Sequence, residues 1–225
     1  MTFHTQTDTG QLPSRRPLSR VAARLLARAR TEWEQRQYDA TEVSLTSVLA
    51  LAPDDPDAIR MLGMVVQRRG DHARAVDCFR QVLAVWPEDS DLRIWLGIAL
   101  YEHGEVAEAL TQFRRSSELA PASASAWFNL GEALAREAYT EEAVAALQRT
   151  LELDPSHTSA GLSLARVQAN IGQVDAAVAR FREVLRRDPA NAEGWFGLSN
   201  LNTVRFDATD SACLQRALAR ENLSA

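Results

Sequence analysis

Hydrophobic and polar positions recur along this chain with one long period. The stretches MLGMVVQRRGDHARAVDCFRQVLAVWP, WLGIALYEHGEVAEALTQFRRSSELAP, NLGEALAREAYTEEAVAALQRTLELDP and SLARVQANIGQVDAAVARFREVLRRDP repeat the same order of apolar, small and charged residues. Each ends on a proline, and Pro53, Pro87, Pro121, Pro155 and Pro189 are 34 residues apart without slippage. A period of this length, with a turn signal inside every unit, predicts a helix, a turn and a second helix per repeat. The chain should therefore hold about eleven to thirteen helices in antiparallel pairs and no sheet.

Local chemistry agrees with that division. With each proline numbered 32 in its unit, position 34 holds Asp55, Asp89, Ser123, His157 and Asn191. Four of these five are residue types whose side chains accept hydrogen bonds from the free amides of a helix start. Gly70, Gly104 and Gly172 fall between the two helices of their units, where a left-handed residue stops the first helix. Ala138 takes that place in a fourth unit, so its turn must tolerate a side chain.

The array resembles the tetratricopeptide repeat. That family's Leu-Gly pair at positions 7 and 8 corresponds to Leu62-Gly63, Leu96-Gly97 and Leu130-Gly131, then to Leu164-Ala165. Its position 20 alanine is Ala75, Ala109, Ala143 and Ala177, and its large apolar position 24 is Phe79, Phe113, Leu147 and Phe181. Position 4, usually aromatic, varies: Ile59, Arg93, Trp127, Gly161 and Trp195. The first unit keeps Leu25, Tyr38, Leu45, Val48 and Pro53 but has Arg28 and Ala29 where leucine and glycine are usual, a departure expected of a terminal repeat. A sixth unit begins at GWFGLSNLNT and then leaves the pattern. The resemblance implies an all-α, right-handed superhelical α-solenoid of tetratricopeptide helix pairs, five full repeats plus a half repeat. Residues 1–19 are expected to be a flexible tail, 20–202 the array, and 203–225 a helical cap of approximately Asp207 to Arg220, with Leu214 and Leu218 on one side, or the start of a linker.

Composition narrows the function by exclusion. The 225 residues carry a formal net charge of -5 from 25 basic and 30 acidic side chains, a balance that draws the chain neither to nucleic acid nor to an anionic membrane. Every basic residue is arginine, a usage that fits a GC-rich, bacterial coding sequence. Cys78 and Cys213 are far apart and outside any CxxC motif, which fits a reducing cytoplasm. The first 20 residues have no apolar core of the roughly 7 to 15 residues a secretory signal needs, and no run approaches the roughly 18 of a membrane span. SRVAARLLARAR, residues 19–30, is arginine-rich like an organelle transit peptide, but its apolar spacing suits a first helix.

No catalytic constellation is present in the sequence. His4, His72, His103 and His157 each lack a second ligand at metal spacing, and paired carboxylates such as Asp54-Asp55 and Glu141-Glu142 lie at helix starts, where negative charge suits the dipole. No GxSxG, GxxxxGK[ST] or GxGxxG string occurs. The chain is expected to be no enzyme and to use no cofactor or metal.

Binding residues, by contrast, follow from the resemblance. In tetratricopeptide arrays the concave wall is lined by positions 2, 5, 6, 9, 12 and 13 of the first helices. Here these include Arg60, Met61 and Met64, then Ile94, Trp95, Ile98 and Tyr101, then Phe128, Asn129 and Glu132. Leu162 and Arg166, then Phe196 and Asn200, continue the row. Apolar and aromatic side chains there imply a protein or peptide partner in the groove. Phe128, Leu162 and Phe196, all at position 5, have packing across neighbouring repeats as an equal alternative. The carboxylate clamp of some members, lysine and asparagine at positions 5 and 9, is not matched by Arg60 with Met64 or Ile94 with Ile98. Array edges leave pairing of two copies open.

A second resemblance lies at residues 192–219, AEGWFGLSNLNTVRFDATDSACLQRALA, which is similar to the junction of bacterial tetratricopeptide sulfotransferases. Trp195, Leu198, Asn200, Leu201, Thr203, Arg205 and Phe206 match the WxxLxNLKTxRF pattern, with Asn202 in place of lysine. It implies an amino-terminal recruiting or assembly arm whose catalytic domain, with its PRSGT-type loop for the donor phosphoadenosine phosphosulfate, lies outside these residues. The rival readings are a self-sufficient adaptor and an arm of another transferase.

Overall fold

The computed structural model describes residues 17–201 and 208–221, with side chains of the last helix described to 215. The expectations placed on His4, Asn202, Thr203, Arg205, Phe206 and the side chain of Leu218, and on the tail before residue 17, lie outside the described residues. Within them the chain has twelve helices and no strand. It divides into two compact units, Met1–Glu105 and Val106–Ala225.

In the first unit α1 (Arg20–Glu34), α3 (Pro56–Arg68) and α5 (Ser90–His103) alternate with α2 (Tyr38–Leu51) and α4 (His72–Val85). Each packs on its neighbour in sequence. In the second unit α6 (Val106–Leu119) packs on α7 (Ala124–Arg136), and α7 pairs with α8 (Thr140–Leu153), α9 (Thr158–Asn170) with α10 (Val174–Arg187), and α10 with α11 (Ala192–Asn200). The final helix, α12 (Ala208–Glu221), rests on α10.

First helices start where position 34 places them. The side chains of Asp55, Asp89, Ser123 and Asn191 each accept from the amide three residues on, at 2.9, 2.8, 3.3 and 2.8 Å. His157 does the same through Nδ1, from Ala160 N at 3.2 Å, so the one residue outside the usual capping set caps as well. A ring nitrogen that accepts here must be the unprotonated one.

The turn between paired helices is made the same way five times. Gly70, Gly104 and Gly172 have φ of 84°, 95° and 78°, and Arg36 and Ala138 occupy the same left-handed region at 59° and 60°. A side chain there costs about 1 kcal/mol that glycine does not incur. Ala138→Gly is accordingly expected to raise stability by about 1 kcal/mol, seen as a thermal midpoint about 2 to 4 °C higher; an unchanged or lower midpoint would mean the turn holds alanine without strain.

Helix pairs close on the small and large positions together. A Cβ at Gly131 would lie 2.8 Å from Leu147 Cγ, so position 8 has to be small for position 24 to seat. In the first unit one carboxylate is buried between α1 and α2: Glu32 accepts from Ser44 Oγ at 2.7 Å and from Arg28 Nε at 2.6 Å. Burial pushes its carboxyl up, but the Ser44 hydroxyl and the Arg28 guanidinium together hold it below the usual glutamate value of 4.5. Since the folded carboxyl is the stronger acid, the unfolded chain takes the proton first. The contribution of Glu32 is complete above 4.5 and is lost as pH falls through the lower folded value. Glu32→Gln should therefore lose less of its thermal midpoint than the parent between about pH 5 and pH 3, and an equal loss would contradict the assignment.

A helix, α12, lies where the cap of approximately Asp207 to Arg220 is expected; it buries Asp210 and Cys213 and leaves Leu214 39% exposed. Its orientation is set by Arg182 of α10, whose Nε and Nη2 donate to the two carboxylate oxygens of Asp210 at 3.0 and 2.7 Å. A forked pair of this kind fixes angle as well as distance.

Candidate functional site

Ion pairs between first helices show which positions share a face. In the first unit Arg30 of α1, at position 9, reaches Asp57 of α3, at position 2, across 3.5 Å. In the second, Arg166 of α9 reaches Glu193 of α11 across 2.9 Å, again from position 9 to position 2. Positions 2 and 9 of successive first helices thus meet on one side of each unit.

On the first unit that side is largely apolar. Met61 and Met64 of α3 and Trp95, Ile98 and Tyr101 of α5 are all half-buried, with the Trp95 ring 6.5 Å from that of Phe79. Arg60 is exposed at their margin, 3.9 Å from Asp57. Ile94 does not belong with them: at 9% exposure it is part of the packing.

Two more residues of this face come from position 12 and were not singled out in the sequence. Trp33 of α1 meets Tyr38 edge-on at 5.4 Å, and the Arg68 guanidinium lies 5.9 Å from the Trp33 ring centre. Gln67 of α3 holds its Oε1 away from solvent with no hydrogen-bond donor from the protein. The signal was available, because Trp33, Gln67 and Tyr101 are one row at 34-residue spacing.

On the second unit the corresponding face, apart from Phe196, is polar and paired with itself. Arg166 bridges Glu193 and Glu132, the latter at 3.8 Å, and also donates to Ser163 Oγ at 2.9 Å. Asn129 donates to the carbonyl of Ser125 in its own helix at 2.8 Å. Asn200 is exposed.

The three position 5 residues part company. Leu162, 4% exposed, is core, packed with Ala165, Phe181, Leu185 and Leu198. Phe128 packs on Leu147, Ala160, Leu164 and Val167, with its ring 4.5 Å from that of His157. In both cases the next first helix covers the side chain, α11 over Leu162 and α9 over Phe128. Phe196, on the last described first helix, is 67% exposed. Leu162 and Ile94 are therefore withdrawn from the groove lining, and Phe128 is a packing residue with one open edge.

Among the described residues no group of three His, Cys, Asp or Glu side chains is placed to hold a metal ion, and no helix is long and apolar enough to cross a membrane. Burial pushes the Cys78 thiol above its usual value, the opposite of what a nucleophilic cysteine needs.

The molecule can be set beside known proteins on this geometry. No curated protein sequence matches the chain. Among solved structures, YrrB, described as a TPR protein with an unusual peptide-binding site, is similar over 79% of this chain and 92% of its own, at 21% identity and a TM-score of 0.65. MamA from Desulfovibrio magneticus RS-1 is similar over 78% of this chain and 99% of its own, at 20% identity and a TM-score of 0.71. PilF of Pseudomonas aeruginosa is similar over 87% and 90%, at 20% identity and a TM-score of 0.73. At such identities the likeness is one of fold. In sequence, the description of the tetratricopeptide repeat matches residues 26–76, 60–122 and 107–158, and a second description of that repeat matches 133–201. With the repeat matched across most of its length, the chain belongs to the tetratricopeptide-repeat family.

Proposed function

We propose that this chain is a protein-binding module whose partner, a peptide or protein segment, seats its apolar side chains on the first-helix face of the first unit. The observation that carries this reading is the set of half-buried apolar side chains there: Met61, Met64, Trp95, Ile98 and Tyr101. Methionine adapts its shape to what it meets, and aromatic side chains bring large area at little entropic cost. The second unit presents less apolar surface on its corresponding face, where Glu132, Arg166 and Glu193 form exposed ion pairs. Peptides selected from a random display library against the whole chain are expected to share apolar residues at helical or alternate spacing. A library that yields no enriched sequence would sink the reading.

A second reading, that the module is the recruiting arm of a longer sulfotransferase, is supported by the junction residues Trp195, Leu198, Asn200 and Leu201 and by exposed Phe196, which none of the described helices covers as α9 covers Phe128 and α11 covers Leu162. Further helices of a longer chain would pack there. The coding sequence beyond Ala225 tests it: a PRSGT-type loop would support the arm, and a stop codon would leave the adaptor.

A further inference from the structure

In three of the first helices, α5, α7 and α11, the position 4 side chain donates to one recurring partner. Trp127 Nε1 donates to the carbonyl of Pro121 at 3.0 Å, and Trp195 Nε1 to that of Pro189 at 2.9 Å. Arg93 Nε does the same to Pro87 at 3.2 Å. The proline carbonyl that ends one repeat is thus covered by the position 4 side chain of the next, twice by an indole.

At Gly161 that side chain is missing. What lies there, with Arg187 in place, is a shallow open notch of about 10 Å³, room for one water, lined by Leu151, Pro155, Thr158, Arg180, Val184 and Arg187 among others. Arg187 of α10 lies across it and donates through Nη1 to the Pro155 carbonyl, standing in for the absent indole. The two changes go together in the sequence: position 30, Arg187 here, is Leu51, Val85, Leu119 and Leu153 in the other units. Arg187 also pairs with Glu183, at 3.0 Å, and its charge helps hold the Asp154 carboxyl below the usual value, while Glu183 keeps Arg180 at 2.6 Å whether or not Arg187 stays. His157 is committed to capping α9 and to the Phe128 ring. Arg187, 47% exposed against 31% for Arg180, is therefore the wall of the notch best placed to swing out.

We propose that the Gly161 notch is a socket for one aromatic side chain of a protein partner, an indole above all, which displaces Arg187, lies against Val184 and donates its N–H to the Pro155 carbonyl. The chain itself specifies the occupant, since two other repeats of the second unit hold an indole on the equivalent carbonyl. The apolar floor of Val184 and Leu151 takes the ring face, and the displaced guanidinium keeps Glu183 as its partner. The socket is separate from the face of Met64 and Ile98, so it stands or falls independently of the function proposed above.

Free indole is the probe, titrated into the ¹⁵N-labelled full chain and followed by amide shifts. Shifts confined to Gly161, Val184 and their neighbours are expected. Arg187→Ala should bind indole about fivefold more tightly, having no exposed hydrogen bond to give up. Gly161→Trp should abolish the shifts by filling the notch from within, provided Val184 Cγ2, 3.0 Å from the new Cβ, yields. If that variant fails to fold, Arg187→Ala decides alone. No localised shift at the solubility limit of indole in either the parent or Arg187→Ala, or shifts that persist in folded Gly161→Trp, would overturn the proposal.

Discussion

Phe181→Ala should cost about 3 to 5 kcal/mol and unfold the second unit at a denaturant concentration well below that of the parent. The ring is 2% exposed and lies at the centre of a cluster with Leu162, Ala165, Ala177, Val184, Leu185 and Leu198. It is also pressed against α11 so closely that a Cβ at Gly197 would come within 2.4 Å of it. Removing it leaves a cavity that neighbouring helices fill only by giving up their own contacts. Stability of a repeat array is a sum of each repeat and its immediate interfaces, and Phe181 contributes to two of them, α9 with α10 and α10 with α11. Urea unfolding followed by circular dichroism measures the loss. A cost below about 1 kcal/mol would mean the cluster is not the core of that unit.

The second large effect is on binding. Ile98→Asp places a carboxylate among Met64, Trp95 and Tyr101, where a partner's apolar side chain would have to bury it unpaired. Central apolar anchors of an interface are worth about 2 kcal/mol or more, so affinity for a library-selected peptide should fall at least about thirtyfold. Ile98 is only half-buried, and the free protein can leave the new charge in water, so its thermal midpoint should move by only a few degrees. Leu162→Asp, at a fully packed position, is the contrast: it should unfold the second unit.

Much of the fold is written in the repeat phase. The second helices begin at Tyr38, His72, Val106, Thr140, Val174 and Ala208, 34 residues apart each time. That row shows what reading the prolines alone misses: α12 keeps the phase of a second helix, so the sixth unit is more than half a repeat by numbering. The sequence indicates a helix over approximately Asp207 to Arg220 but not its phase, because positions 20 and 24, alanine and a large apolar residue in the second to fifth units, are Ser211 and Gln215 there. Without those anchors the helix is turned by Arg182 and Asp210 instead, and no periodicity of apolar residues encodes a single ion pair.

The site was less legible than the fold. Position numbers place a side chain on a face, but whether the face is open depends on the next helix. Phe128, Leu162 and Phe196 are equivalent in sequence and differ in exposure because two have a covering first helix and the third does not. The polar character of the second unit's face was similarly hidden, since Glu132 and Arg166 read as separate groove residues until the pairs with each other and with Glu193 are seen. His157 as a cap and Arg187 as a substitute for an indole depend on reach across a turn, which spacing along one helix does not report.

The most direct test of the binding face is calorimetric titration of one library-selected peptide into the parent chain, Ile98→Asp of the first unit and Asn200→Asp of the second. The face on α3 and α5 predicts that Ile98→Asp loses at least about thirtyfold in affinity while Asn200→Asp binds as the parent does. Full affinity in Ile98→Asp together with a loss in Asn200→Asp would contradict it and move the partner to the second unit.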